Sequence, residues 1–388
     1  MGCSIMSELK VDTIVNLAGT GKPNLPVSPT LEGAAISAAN TYAYTSSASE
    51  PSSPKNGHLW WDSANEKVMV YINGEFKNIE LNAAAASGNA WSGDRGIVTG
   101  GESATISRSN VIQYFDISTT GNSQDFGDLA TSRELHAGAS SQARGLSFGG
   151  TMTGTIYAIE YITISTPGNG TDFGDMVSNK YFMSACSDGT RAFVNGGYSG
   201  PVNTIQAVTI ATTGNATDWG DLQSAKWLNA SCADLTRAVT HGGMYNTTSG
   251  YTNQIDYYST ASAGNASDFG NGTTTRGQSG GCADATRGLF GGGTPDGATT
   301  RLRSIDYITI QTTGNATDFG DLAANKMRVH AAPNETRAVF TGGTTNGNAN
   351  GKINVMEYVT IQTTGNATDF GDLLEDTYNH TAFSGAPS

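Results

Sequence analysis

Positive charge is scarce in this sequence: 21 Lys and Arg stand against 34 Asp and Glu, a formal net charge of −13 over 388 residues. Without a basic stripe to neutralise phosphates, nucleic acid is not an expected partner, and an anionic membrane surface is disfavoured for the same reason. No run approaches the ~18 consecutive apolar residues of a membrane span, and no charged segment followed by an apolar one opens the chain. Neither membrane insertion nor a secretion signal is therefore expected. Met1-Gly2-Cys3 invites a lipidation reading, but position 6 is Met and no apolar run precedes Cys3. Cysteines number four, Cys3, Cys186, Cys232 and Cys282. The last three recur at one place in successive repeats, where side chains run in parallel instead of meeting. Free, buried thiols and a reducing compartment of assembly are expected.

What is abundant is glycine, 50 residues, which suits short strands joined by tight turns and suits long helices badly. Its distribution is periodic. An Arg, a short apolar run and a Gly pair recur every 46 to 50 residues, at Arg95, Arg144, Arg191, Arg237, Arg287 and Arg337. Each Gly pair is followed by an alternating strand such as 305–310. A turn of the form Gly-Asn-x-x-Asp-aromatic-Gly-Asp then carries Phe126, Phe173, Trp219, Phe269, Phe319 or Phe370; the first copy, at Gly121, is intact at 125–128 and the fourth, at Gly264, ends in Asn271. With a small-residue strand such as 184–186, each unit reads as four short strands in about 47 residues, one blade of a propeller. The six aromatics are expected to be buried between blades. The first unit opens inside its Gly-pair strand, and residues 378–386 resemble the missing small-residue strand. Six blades closed by the C-terminal strand are therefore predicted, and an open solenoid, which would need polar caps, is not.

The Gly pair after an Arg-led apolar run, the third-strand Tyr and the fourth-strand aromatic resemble the kelch repeat over about 300 residues. The sequence departs from that pattern in its Gly-Asn-x-x-Asp-Phe-Gly-Asp turn. The fold class expected is all-β, a six-bladed kelch-like β-propeller over residues 91–388 with a small N-terminal β attachment region. That region divides into an extended arm (1–53, with a strand at 7–14 and a Ser/Ala/Pro-rich stretch at 37–54), a small β-meander (54–82, with Asn73-Gly74 as a hairpin turn) and a linker (83–90).

No catalytic constellation stands out. The six Arg residues are expected to pair with acidic neighbours such as Asp94, Asp188, Asp234, Asp284 and Glu335, or with the repeated turn Asp, locking blades together; the alternative is a ligand-binding ring. The repeated turns lack the ligand spacing and terminal Glu of a calcium loop, so their Asn and Asp are expected to bond their own backbone. His136, His330 and His380 lie at offsets that differ by a residue, His241 sits beside a Gly pair, and no Cys/His spacing for zinc is present. No metal and no cofactor are expected. A glycosidase needs two carboxylates in one cleft, which 34 acidic residues leave possible. The loops after the Gly pairs (102–110, 151–157, 198–204, 244–254, 294–303 and 344–354) vary while the strands repeat. Such loops carry binding residues disproportionately, and Tyr198, Tyr245, Tyr251 and Arg301 are the side chains best suited to a sugar or surface group.

Two N-terminal segments, Leu9-Lys10-Val11-Asp12-Thr13-Ile14 with residues 19–24 and residues 54–62 with 70–76, resemble modules of tailed-phage structural proteins, particularly tail fibres of phages infecting cyanobacteria and other marine bacteria. The resemblance implies a virion location after assembly in the host cytoplasm, and an N-terminal attachment to a tail, baseplate or capsid protein. It also implies a homotrimer and a distal domain that meets host surface polysaccharide. The expectation is a non-enzymatic tail or appendage fibre whose propeller adheres to host glycan. The alternatives are a capsid or tail decoration protein without a receptor role and a polysaccharide-degrading tailspike.

Overall fold

The strand order of the computed structural model follows the repeat. It describes residues 92–386 except 104–105, 153, 155, 246–249, 298 and 347–350. In the N-terminal part it describes 30–31, 34–35, 44–47, 49–54, 58–62, 67–72 and 75–78. Two compact units, Met1–Ala86 and Ser87–Ser388, divide the chain.

The larger unit is a six-bladed β-propeller. Blade two shows the plan: Ala137–Ser140, Arg144–Phe148, Ala158–Thr163 and Thr171–Asp175 pair antiparallel in sequence order, from the axis to the rim. Blades three to six repeat it over 184–221, 230–271, 280–321 and 330–372. Blade one takes three strands from 95–128 and its innermost strand from the C-terminus, where Thr381–Gly385 pairs antiparallel with Arg95–Thr99. Ring closure by the last strand is as expected from the sequence.

Burial grades outward in a way the residues dictate. Innermost strands pack around the axis against the next blade's innermost strand, so only Gly, Ala, Ser, Cys and similar small residues fit most positions there. Second strands such as Arg144–Phe148 are buried after their first residue, because a blade lies on each side. Third strands such as Ala158–Thr163 bury three of their six positions, and the outermost strands bury only their aromatic. Phe126, Phe173, Phe269, Phe319 and Phe370 are 2–3% exposed. Phe173 sits in one cluster with Phe148 of its own blade and Val194 and Val208 of the next, an inter-blade core as expected. Trp219 is the exception: half-buried, it donates its Nε1–H to Ser259 O of blade four at 3.1 Å.

The repeated turn is a clasp between blades. Gly174 (φ 144°) sits at a bulge in the outer strand, where a Cβ would stand 2.5 Å from Gly214 O of the next blade's turn. This close approach lets the Gly214 N–H reach Phe173 O at 2.8 Å, and the Asp175 N–H reach Asn215 Oδ1 at 2.9 Å. All six junctions repeat the Asn contact, the last between Asp372 N and Asn122 Oδ1 at 3.0 Å. The expectation that these Asn side chains bond their own backbone is corrected, since they accept from the preceding blade.

The Arg residues lock blades as expected, but through different partners. Each lies over an aromatic ring of its own blade, Tyr114, Tyr161, Trp219, Tyr257, Tyr307 or Tyr358, at 4.4–5.3 Å. Each donates Nη1–H to main-chain carbonyls of the next blade, from Arg95 to Ile164 O through to Arg337 to Ile117 O. Among the described residues, Arg191 alone of the six has a carboxylate within 4.0 Å, Asp188. The carboxylates are engaged locally: Asp284 Oδ1, for example, accepts from the backbone N–H of Thr286 and of Arg287. Arg191 uses Trp219 because Ala207 stands where five blades have Tyr.

A second ring of cations lies inside. Arg133, Lys180, Lys226, Arg276 and Lys326, five residues beyond each turn motif, are almost wholly buried. Four meet a carboxylate of the next blade: Arg133 with Glu160, Lys226 with Asp256 at 2.9 Å, Arg276 with Asp306 at 2.7 Å, and Lys326 with Glu357. Lys180 faces a blade that carries Gln206 at that register and donates instead to Thr204 Oγ1. Thr377 takes the sixth cation position, and Gln113 the matching acid position. Cys186, Cys232 and Cys282 are free and buried, as expected, and burial pushes the Cys186 thiol up to about 12; Cys3 lies outside the described residues.

In the smaller unit Leu59–Asp62, Lys67–Ile72 and Glu75–Asn78 form the expected antiparallel meander. Tyr44–Ser47, inside the stretch expected as linker or arm, is a fourth strand, parallel to Leu59–Asp62. Its polar residues carry no alternation, so tertiary pairing decides; Trp60 Nε1–H donates to Ser47 O at 3.1 Å. The expected strand at 7–14, the Asn73-Gly74 turn and the 83–90 linker lie outside the described residues. Among the described residues no helix is long and apolar enough to cross a membrane.

Candidate ligand-binding site at the channel mouth

Each connection from an outer strand to the next inner strand crosses one face of the propeller and turns down at the axis. At that turn six non-glycine residues adopt φ between 55° and 60°: Leu135, Phe182, Leu228, Gln278, Arg328 and Asn379. Such residues rarely enter the left-handed region, at a typical cost of about 1–3 kcal/mol each, and they do so where the surroundings dictate it. Here the requirement is a belt of main-chain hydrogen bonds around the axis. The N–H groups of Leu135, Phe182, Leu228, Gln278 and Arg328 donate to the carbonyls of Asn379, Leu135, Phe182, Leu228 and Gln278 at 2.7–3.0 Å. The Gly pairs hold the belt in place. Gly243 (φ 99°) donates its N–H to Arg276 O at 2.8 Å, and all six pairs make the equivalent bond.

The belt frames a cavity of about 50 Å³ lined by all six residues together with His136, Met183, Asn229, Ser279, His330 and His380. Three of the five histidines thus share one cavity wall. His136 and His380 each bond a threonine hydroxyl through Nε2 at 2.9 Å (Thr99 and Thr341), and His330 stands 5.0 Å from His380, centroid to centroid. His330 is one residue later in its unit, which turns it toward the same space. Burial holds all three imidazoles neutral, with the His330 pKa lowered to about 4. His241 is elsewhere, stacked on Phe290 at 4.6 Å where Gly272 leaves room for it. Among the described residues no group of three His, Cys, Asp or Glu side chains is placed to hold a metal ion.

Two halves of the mouth differ. Leu135, Phe182 and Leu228 are apolar, and Phe182 belongs to a contiguous patch with Tyr181, Tyr198 and Trp227, the rings 4.9–5.4 Å apart. All four are half-exposed. Gln278, Arg328 and Asn379 are polar and mutually bonded: Arg328 donates Nε–H to Gln278 Oε1 at 2.9 Å and Nη1–H to Asn379 Oδ1 at 3.1 Å. Asn379 in turn donates to Glu134 Oε2 at 2.8 Å, and Arg108 lies 3.3 Å from the other Glu134 oxygen. Burial raises the Glu134 pKa.

Of the four side chains picked from the sequence, Tyr198 is part of the aromatic patch. Tyr251 stands beside the polar half, near Gln278. The Tyr245 hydroxyl is bonded within its own loop, to Gln254 Oε1 at 2.8 Å. Arg301 donates to Thr299 O and Asn346 O, joining the loops of blades five and six. Sequence reasoning missed Tyr181, Phe182, Trp227, Gln278, Arg328 and Asn379. The signal that could have found them is the buried cation five residues after each turn motif, which places the belt residue two further on. No known protein family matches the chain, and no curated protein matches it.

Proposed function

We propose that this chain is a phage virion structural protein, a tail or appendage fibre, whose propeller adheres to host cell-surface glycan at the channel mouth without cleaving it. The observation that carries the adhesion reading is the contrast at the belt: six closely similar backbone conformations present largely different side chains, one of them Phe182 beside three further half-exposed aromatic rings. Aromatic faces stack on sugar rings, and amide and guanidinium groups fix hydroxyls and charged substituents. Binding without cleavage is supported by the cavity's lining, which includes no Asp or Glu among the described residues, whereas glycoside hydrolysis uses a pair. The virion role, attachment through the N-terminal region to a tail, baseplate or capsid protein, and a homotrimeric state rest on the resemblance of residues 9–24 and 54–76 to phage fibre modules.

Incubating the full chain with surface polysaccharides of cyanobacteria and other marine bacteria tests the reading. Retention of polysaccharide with its length unchanged is the expected result. Shortened chains would make the protein an enzyme, and no retention would leave the propeller a decoration.

A further inference from the structure

Arg328 is the one charged residue among the six belt positions, and its setting differs from that of every other arginine described at a blade junction. Arg133 and Arg276 are closed off by Glu160 and Asp306, and the six peripheral arginines end on main-chain carbonyls. Arg328 is held by neutral groups alone, the amide oxygens of Gln278 and Asn379 and the face of Tyr378, whose centroid is 4.8 Å from its Cζ. No carboxylate among the described residues comes within 4.0 Å of it. A guanidinium has five N–H donors, and two are engaged, leaving three on a side chain that is fixed in place, half-exposed and part of the cavity wall. In the sixfold order of the belt, the residue directly across the axis is Phe182, flanked by Tyr181 and Trp227.

We infer that the mouth selects an acidic sugar: a pyranose ring lies against Phe182 and Trp227 while its carboxylate accepts hydrogen bonds from Arg328, making Arg328 the specificity-determining residue. The inference rests on the glycan-binding reading above and names the class of sugar. A planar guanidinium matches a carboxylate in geometry and charge. A neutral hexose would cover the same aromatic surface while leaving the guanidinium without a carboxylate in direct contact, since Glu134 is reached only through Asn379, and unmatched donors cost affinity. The net charge of −13 opposes an approaching anion, but screening at physiological salt confines that opposition to charges within about 8 Å. The carboxylate nearest the belt, Glu134, already faces Arg108.

The experiment titrates sodium glucuronate, glucose and inorganic phosphate separately into the full chain, with saturation-transfer NMR and tryptophan fluorescence as readouts. It is repeated with Arg328→Gln, which copies the residue blade five places at the same φ and so preserves the belt. Glucuronate is expected to bind at least tenfold more tightly than glucose or phosphate, and Arg328→Gln to bring the two sugars within about twofold of each other. Equal affinity for the two sugars, glucuronate binding indifferent to Arg328→Gln, or phosphate binding as tightly as glucuronate would each overturn the inference. If the wild-type chain retains polysaccharide but ignores glucuronate, the acidic-sugar inference fails and adhesion stands; if it retains neither, both fail.

Discussion

At one end of the second strands, six arginines in the same register lie over aromatic rings and reach the next blade's carbonyls. At the other end, six residues in the same left-handed conformation carry Leu, Phe, Leu, Gln, Arg and Asn. The two ends have the same symmetry of backbone and opposite treatments of side chain. Where chemistry repeats, it answers a demand every junction makes, that of holding one blade to the next. Where it varies on a constant backbone, no junction demands the variation, and the side chains are free to match something outside the protein.

The comparison is sharpened first by removing a repeated element. Phe173→Ala, which opens the core between blades two and three, should cost about 3–5 kcal/mol in denaturant unfolding; a loss under 1 kcal/mol would mean the aromatic is not an inter-blade anchor. The buried cations allow a finer contrast. Lys226→Met leaves Asp256 buried without a cation and should cost about 3–5 kcal/mol. Lys180→Met strands no carboxylate, because Gln206 stands opposite, and should cost little. Burial lowers the Lys180 pKa to about 8, so the unfolded state holds that proton more tightly. Equal losses in the two variants would contradict the pairing scheme.

The histidines at the mouth give a pH dependence. Their folded pKa values lie below the ordinary value of about 6.5, so between pH 6.5 and about 4 the unfolded chain binds more protons and stability falls with falling pH. Each histidine contributes up to about 1.4 kcal/mol per pH unit. His330→Ala, the residue that blades two and four carry at this position, should flatten the slope in chemical denaturation series at fixed pH. Losing one peripheral clasp is a smaller effect than losing a buried pair: Arg287→Ala should cost about 1–2 kcal/mol through one ring contact and one charge-assisted bond, read from the unfolding midpoint.

The propeller was legible because symmetry writes each of its demands six times. Gly pairs, turn motifs and aromatics recur for the same steric reason at every junction, and even the closing strand could be read from the register of the two ends. The arginine partners were misread because acids lie beside them in sequence, while the carbonyls that five of them reach are 66 to 74 residues away, and that of Arg337 220 away, and carry no signature. The mouth was harder still. Phe182 and Arg328 adopt a conformation usually marked by glycine without being glycine, and a search for repetition passes over positions whose residues differ. Tyr198 was found because it follows a Gly pair; Trp227, its neighbour at 4.9 Å, was not, because it follows a lysine whose burial only the fold reveals.

The most direct test pairs the two ends in one assay. Retention of host polysaccharide is measured for the wild-type chain, for the double variant Phe182→Leu and Arg328→Gln, whose residues both occur at other belt positions, and for Arg287→Lys at the opposite end. All three should unfold within about 1 kcal/mol of one another, with retention lost in the double variant alone. A double variant that binds as the wild type does, or an Arg287→Lys chain that loses binding equally, would contradict the assignment of recognition to the channel mouth.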